Sequence, residues 1–566
     1  MKKRRLIALA AAAVMAASSL AGCGGSQTSS TTAAGSTAET AAASSNAVSP
    51  DAKSTDQTLG GGIAVGSSDG EAVKGGTLVV SMPSSPRTLD PKAYSTMYEN
   101  HIMYNVLDTL FVWDKDYKEV IPSLATDYTV SDDGLTYTIN LRDDVYFQKG
   151  KFQDGRKMTA DDVVYSLERS KEESTTDRIC RDFFDYCEAA SPTQVVIHMK
   201  SVAGPFISQL AGIGNAILPK EEVEGWGEDF GSHIVGTGAF TLEEIVTDEK
   251  VTLKKNENYW GTEPNVDGIE FRIISDSNQA INAVQTGEVD IAMYLQGEAI
   301  KRAQDADLLL QAPSSAVTFV RFNMQNGPTA NADVRKALTM AVDIDSMVAG
   351  IYQYGEGTRA YQPLPVYSFA YDTAYNDLVP SYDPEGAKKL LAEAGYPDGF
   401  TMSLYIGSTT YREKMAQMLQ YYWSQIGVTL DIKSSTMADW SAAVVDSWQS
   451  DVVNSYGVSW NSDPDPYGFL GKFFSSQTLH ASSNAGGYND AELDELLNEG
   501  FGSTDNAKRA ESYKKVIEKV MNEYTGIYCA YECRNWAVSP KVHNAVLRAD
   551  NQMLVATPFN NIWVEK

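Results

Sequence analysis

Five histidines, His101, His198, His233, His480 and His543, could carry a general base or ligate a metal, and no two lie within five positions of each other. That spacing removes the H-E-x-x-H zinc site and any local His-rich metal motif, so each reads as an ordinary surface or core residue. Gly66-Ser67-Ser68-Asp69-Gly70 has the G-x-S-x-G form of a hydrolase nucleophile elbow. The elbow needs a buried strand before it and a helix after it, and the surrounding Ser/Gly-rich sequence offers neither. Asp463-Pro464-Asp465-Pro466-Tyr467-Gly468 opens like a calcium loop, but the position that needs Glu is Phe474 and the prolines oppose the geometry. With 74 Asp+Glu, pairs of acids are inevitable and nominate no glycosidase. No Ser/His/Asp or Cys/His arrangement stands in a suitable context, so these residues carry no evidence for catalysis, and the expectation is no enzyme and no metal or other cofactor.

Cysteine is more informative. Lys2-Lys3-Arg4-Arg5 precedes an uncharged apolar run, Leu6 to Ser19, and then small residues up to Cys23. This is the layout of a secretory signal peptide, with an apolar run shorter than the ~20 residues of a bilayer span. Leu20-Ala21-Gly22-Cys23 resembles the bacterial lipobox, which implies removal of residues 1–22 and a diacylglycerol thioether on Cys23. Residues 24–73 are Ser, Thr, Ala and Gly with scattered acids, too little apolar surface to offset the entropy of ordering. Residues 23–74 therefore read as a lipidated cysteine and a flexible tether with a reach of roughly 40 Å. No later stretch approaches 18 uninterrupted apolar residues, so the expected location is extracytoplasmic, on the cell membrane through lipidated Cys23. Cys180, Cys187, Cys529 and Cys533 allow three disulfide pairings. Cys529 and Cys533 fall on a strand-like run, about 13 Å apart, beyond disulfide reach unless the chain bends.

The 566 residues carry 46 Lys+Arg and a formal net charge of −28, which argues against a nucleic-acid partner. From Gly75-Gly76 onward, short apolar strands alternate with capped helices, the pattern of an α/β protein of more than one lobe. Thr159-Ala160-Asp161-Asp162 reads as a capping-box start, and Asp383-Pro384 as cap and first helical residue with Gly395 as the left-handed stop. Asn489 and Gly500 are expected to bound a further helix. Thr136 to Leu141 and Gln194 to Met199 read as strands, with Asp133-Gly134 as a hairpin turn.

In order along the chain stand Leu89-Asp90-Pro91, Val106-Leu107-Asp108-Thr109-Leu110, Asp132-Asp133-Gly134-Leu135-Thr136-Tyr137, Thr159-Ala160-Asp161-Asp162-Val163, Val235 to Phe240, Asn258-Tyr259-Trp260, Val334-Arg335-Lys336-Ala337-Leu338, Tyr382-Asp383-Pro384 and Trp460 to Pro466. This series, across roughly residues 77–550, resembles the extracytoplasmic solute-binding proteins of the dipeptide/oligopeptide/nickel family that feed ABC importers. The resemblance implies an α/β, two-lobed, periplasmic-binding-protein-like type II fold with an extra inserted domain. Mapped onto this chain, lobe I takes 75–120, 233–315 and 535–566, the inserted domain 121–232, and lobe III 316–534. It implies a monomer that encloses a peptide between its lobes and delivers it to an importer permease with its ATPase subunits.

The same resemblance suggests ligand contacts at two places. Trp460-Asn461-Ser462-Asp463 matches a W-x-x-D segment whose Asp holds a peptide's α-ammonium, and the backbone from Ser459 to Asn461 would pair with the peptide as an added strand. Thr96-Met97-Tyr98 would touch the ligand from the opposite lobe. For the peptide's C-terminus, Arg321 and Arg359 are available cations. Two alternatives accompany this reading: the same fold around a non-peptide solute such as an oligosaccharide or metal chelate, and an anchored enzyme.

Overall fold

The computed structural model describes residues 63–65, 72–174, 178–447, 455–461, 463–479, 481 and 483–565. The expected signal peptide, Cys23, the G-x-S-x-G segment and His480 lie outside them. Contacts divide the chain into Met1–Gln57 and Thr58–Lys566, and all described residues belong to the second unit.

Strands Thr136–Leu141 and Gln194–Met199 alternate half-buried and buried positions, as the period-two pattern of their sequences dictates. They are the centre of a four-stranded antiparallel sheet flanked by Ala125–Val130 and Phe184–Ser191. Ile139, Val195 and Ile197 are fully buried there against Val163 and Phe206. Each contributes about 1.5–3 kcal/mol of hydrophobic burial. The turn before this sheet's second strand is made by Gly134 at φ 72°, with its N–H donating to Ser131 O. Helix Ala160–Glu173, which covers the sheet, begins where expected: Thr159 N donates to the Asp162 carboxylate at 2.9 Å.

The rest of the molecule is built on one large sheet, eleven strands among the described residues. At one end lie Thr77–Met82, Gly268–Ile273, Lys250–Lys255 and Phe240–Val246, packed around Leu78, Val80, Phe271 and Trp536. At the other lie Phe400–Gly407, Val428–Ser435 and Ser455–Asn461, around Phe322, Leu404 and Trp423. Two long antiparallel strands, Leu309–Phe322 and Gly526–Val538, pair from Leu309/Ala537 to Arg321/Gly526 and join the halves. This is an α/β, two-lobed fold with crossing strands and an additional sheet-and-helix layer.

The crossing ladder is interrupted midway. Pro313 faces Cys533 and Val317 faces Tyr531, so Ser314, Ser315 and Ala316 stand opposite Glu532 alone. Pro313 has no N–H to give, and the Ser315 N–H donates instead to Ala549 O at 3.1 Å.

Several local readings differ from expectation. The helix expected after Asn489 spans Ala491–Phe501 with Asp490 as its N-cap, accepting from Leu493 N, so Gly500 lies inside it and Gly502 follows it. A carboxylate one residue nearer the first turn has the better reach to the free amide. Within the expected tether, Ile63–Val65 forms a strand antiparallel to Ala545–Leu547. Ile63 and Val65 are β-branched residues on either side of Ala64 in a Gly/Ser setting, which suits an edge pairing. The four cysteines of the folded part are buried free thiols.

Candidate functional site

A cavity of about 1200 Å³ lies between the two halves of the large sheet. One wall comes from Thr96, Met97 and Tyr98, the second sequence-derived contact segment. Buried Glu99 holds that segment in place: its Oε2 accepts from Ser95 N at 2.8 Å and Thr96 N at 2.6 Å, and its Oε1 from Arg87 N. The carboxylate thereby caps helix Met97–Val106 and presents the residues of its first turn to the cavity. Asp276, Tyr294 and Glu298 complete this side. Tyr98 and Tyr294 meet edge to face with centroids 5.3 Å apart. Behind Tyr294, the His101 ring nitrogen Nε2 lies 2.6 Å from the phenol oxygen.

The opposing wall is Tyr352 to Tyr354, Glu356, and the start of helix Thr410–Ser424 with Tyr411, Arg412 and Lys414. Tyr352 and Tyr411 stack at 5.2 Å. Glu356 accepts from Tyr354 N at 2.9 Å and from the Tyr411 hydroxyl at 3.4 Å, and burial together with that carboxylate raises the Tyr411 phenol. Arg412 reaches Met437 Sδ and Gly407 O, has no carboxylate within 4.0 Å among the described residues, and keeps a buried Nε without a hydrogen-bond partner. Burial lowers its pKa, the direction expected of a cation denied water and a counter-ion.

The crossing strands form the floor. Thr318 Oγ1 donates to Glu532 Oε1 at 2.9 Å, and Arg534 Nη1 lies 3.6 Å from Glu532 Oε2. The cavity therefore offers charges of both signs, Arg412, Lys414 and Arg534 against Asp276, Glu298, Glu356 and Glu532, with tyrosine faces between them. Such a lining can pair both ends of a zwitterion and stack against what joins them.

Ser459, Trp460 and Asn461 are placed through their backbones: they pair with Thr318, Val317 and Ala316. On the other side, Phe400–Gly407 pairs with this strand only at Ser455, Tyr456 and Gly457. From Val458 to Asn461 one strand edge is therefore without a ladder partner among the described residues, and the Ser459/Thr318 pair on the other edge sets this strand next to the one that contributes Thr318 to the cavity floor. The side chains of 458–461 lie outside the described residues. Asp463 follows this edge and is not among the residues lining the cavity. Its carboxylate accepts from Gln209 Nε2 at 3.0 Å and from Asp465 N at 3.2 Å. Loss of water, and then the neighbouring Asp465 charge, raise its pKa well above the usual carboxylate range. Asp465 is paired at 2.5 Å with Arg509, both almost fully buried.

The two cations named from sequence sit elsewhere. Arg321 is fully buried over the Phe474 ring and donates to Phe473 O, and Arg359 donates to the Ala360 and Tyr528 carbonyls. Arg412, Glu356, Glu532 and Arg534 were not anticipated. Glu532 and Arg534 did leave a signal, since charges two apart on an otherwise apolar strand share one face. Among the described residues no group of three or more His, Cys, Asp or Glu could hold a metal ion, and no helix is long and apolar enough to cross a membrane.

Comparison with known proteins gives concordant results. The profile described as bacterial extracellular solute-binding proteins, family 5 Middle, matches residues 119–480. The heme-binding protein A of Haemophilus influenzae is 30% identical over 468 residues, covering 78% of this chain and 84% of that protein. The dipeptide-binding protein of Escherichia coli is 29% identical over 475 residues, with coverages of 78% and 87%. Among solved structures, the periplasmic binding protein DppA from Helicobacter pylori in complex with the peptide STSA superposes with a TM-score of 0.71 at 24% identity, over 87% of this chain and 99% of that one.

Proposed function

The chain belongs to the bacterial extracellular solute-binding proteins of family 5, and from that premise we propose that it captures short peptides between its lobes and delivers them to an ABC importer permease. The observation that carries this reading is the open strand edge of Val458–Asn461 on the strand next to the floor of a cavity lined by charges of both signs. A peptide backbone added to that edge gains main-chain hydrogen bonds regardless of its side chains. Its ammonium group then lies toward Asp463, and its carboxylate toward the cations of the cleft, above all Arg412. Relatives described as dipeptide-binding and glutathione-binding proteins agree with this ligand class.

Anchoring by a lipid on Cys23, a monomeric state, and lobes divided near residues 120, 232, 315 and 534 belong to the same proposal. Closure follows because a ligand that touches both walls stabilises the closed arrangement, whereas one that touches a single wall does not.

The test is thermal unfolding of the purified protein, stripped of carried ligand, against mixed short peptides with free or acetylated N-termini. Binding to the folded state stabilises by about 2.7 kcal/mol at a hundredfold excess over Kd. A raised midpoint with free peptides that acetylation removes supports the proposal. No rise with either pool sinks it in favour of a non-peptide solute.

A further inference from the structure

Two segments that the family resemblance singles out, Val106 to Leu110 and Asn258 to Trp260, meet at a second cavity, of about 160 Å³, remote in composition from the main cleft. It lies where the Phe111–Trp113 strand approaches the C-terminal stretch Leu554 to Phe559. Tyr104, Trp113, Tyr259, Trp260 and Phe559 supply aromatic surface to it. Asp108 is the acid in this wall. Its Oδ2 accepts from Thr237 Oγ1 at 2.8 Å and Trp260 Nε1 at 3.0 Å, while Oδ1 has no hydrogen-bond partner among the described residues.

The cations that line this cavity are already paired. Arg142 lines the cavity with its guanidinium over the Trp260 ring at 4.7 Å, but it is held by Asp144 through two bonds of 2.8 and 2.9 Å. Arg548 also lines it and is committed to Asp550 and to the carbonyls of Trp113 and Asp114. Each of these cations has its own carboxylate. Asp108 has no cation within 4.0 Å among the described residues, and withdrawal from water pushes its pKa up to about 6. Half-buried Asp108 therefore keeps one oxygen open to a cation from the cavity, and aromatic faces are the surroundings that favour an organic cation over a hydrated one.

We propose that this cavity is a second binding site, separate from the interlobe cleft, for a compact organic ammonium ion whose N–H groups bond Asp108 Oδ1. The volume is close to that of a cavity of ~150 Å³ that accommodates benzene, so the ligand is about the size of one substituted ring. The site is independent of what the cleft binds.

Benzylammonium, benzyl alcohol and benzoate are suitable probes, titrated calorimetrically into the full protein. Benzylammonium is expected to saturate a single site, benzyl alcohol to bind at least tenfold more weakly, and benzoate not to bind. Asp108→Asn keeps an acceptor for Thr237 and Trp260 and is expected to weaken benzylammonium at least tenfold. Ser123→Phe, which fills the cavity from another wall and leaves the Asp108 bonds intact, is expected to abolish binding and keeps the test decisive should the first variant fold poorly. Equal affinity for amine and alcohol, undiminished binding in either folded variant, or no saturable binding of benzylammonium at all would each overturn the proposal.

Discussion

His101 donates the proton on Nε2 to the phenol oxygen of Tyr294 at 2.6 Å, because its other nitrogen, Nδ1, accepts from the Met553 N–H at 3.2 Å. Burial pushes this imidazole down to about 3, so the neutral ring with one defined tautomer persists at every working pH. A backbone amide of the C-terminal stretch thus sets the position of a tyrosine in the cleft wall. Tyr294→Phe is expected to strand the His101 donor and cost about 1–3 kcal/mol of stability, read as a lower denaturation midpoint. An unchanged midpoint would show that the bond contributes nothing net.

The ammonium reading of Asp463 separates two ligand pools. Asp463→Asn is expected to weaken peptides with a free N-terminus at least tenfold and to leave acetylated peptides unaffected, since an ion pair with a buried carboxylate contributes about 1.5–3 kcal/mol. Glu532→Gln serves as the contrast, and a free-amine preference that moves with Glu532 instead would reassign the anchor to the cleft floor.

Arg412, with no carboxylate partner in the cleft wall, is expected to govern the other terminus. Arg412→Met should reduce affinity for peptides with a free C-terminal carboxylate about tenfold, while amidated peptides bind wild type and variant alike. Isothermal titration with the four combinations of protein and peptide decides it.

The Asp465–Arg509 pair is a structural matter. Arg509→Met leaves a buried carboxylate alone and is expected to cost about 3–5 kcal/mol, with little effect on ligand preference in protein that remains folded. Chemical denaturation measures it.

Acid–base linkage gives a further prediction. The folded-state pKa of Asp108 is raised to about 6, so between the unfolded and folded values the folded chain holds the extra proton and stability falls as pH rises, levelling above about 6. Asp463 acts in the same direction. Compared with wild type, Asp108→Asn is expected to gain about 1 kcal/mol of relative stability between pH 5 and pH 7.5, measured as the difference of the two denaturation curves. A constant difference across that interval would contradict the assignment.

Much of the fold was legible because its cues are local. The Thr159 cap, the Gly134 turn and the alternation in Thr136–Leu141 require only neighbours in sequence. Asn489 was misread for Asp490 because two adjacent residues of capping type differ only in which one reaches the first turn. The segment Thr96 to Tyr98, expected from the family's motif order to touch a ligand, lines the cavity. Glu532 and Arg534 marked one face of their strand, but Arg412 and Glu356 reach it from distant stretches, and no short-range pattern specifies which charged residues of an acidic chain converge.

The register skip between the crossing strands, where Ser314 to Ala316 stand against Glu532, has a mechanical meaning. A continuous antiparallel ladder resists bending out of its plane because every rung must deform together. Where rungs are omitted from one of the two strands linking the lobes, that stiffness drops locally, and the sheet behaves like card scored along a line. Motion of one half relative to the other concentrates at that crease, and Glu532, which stands on it and also lines the cleft floor, would sense the fold angle directly.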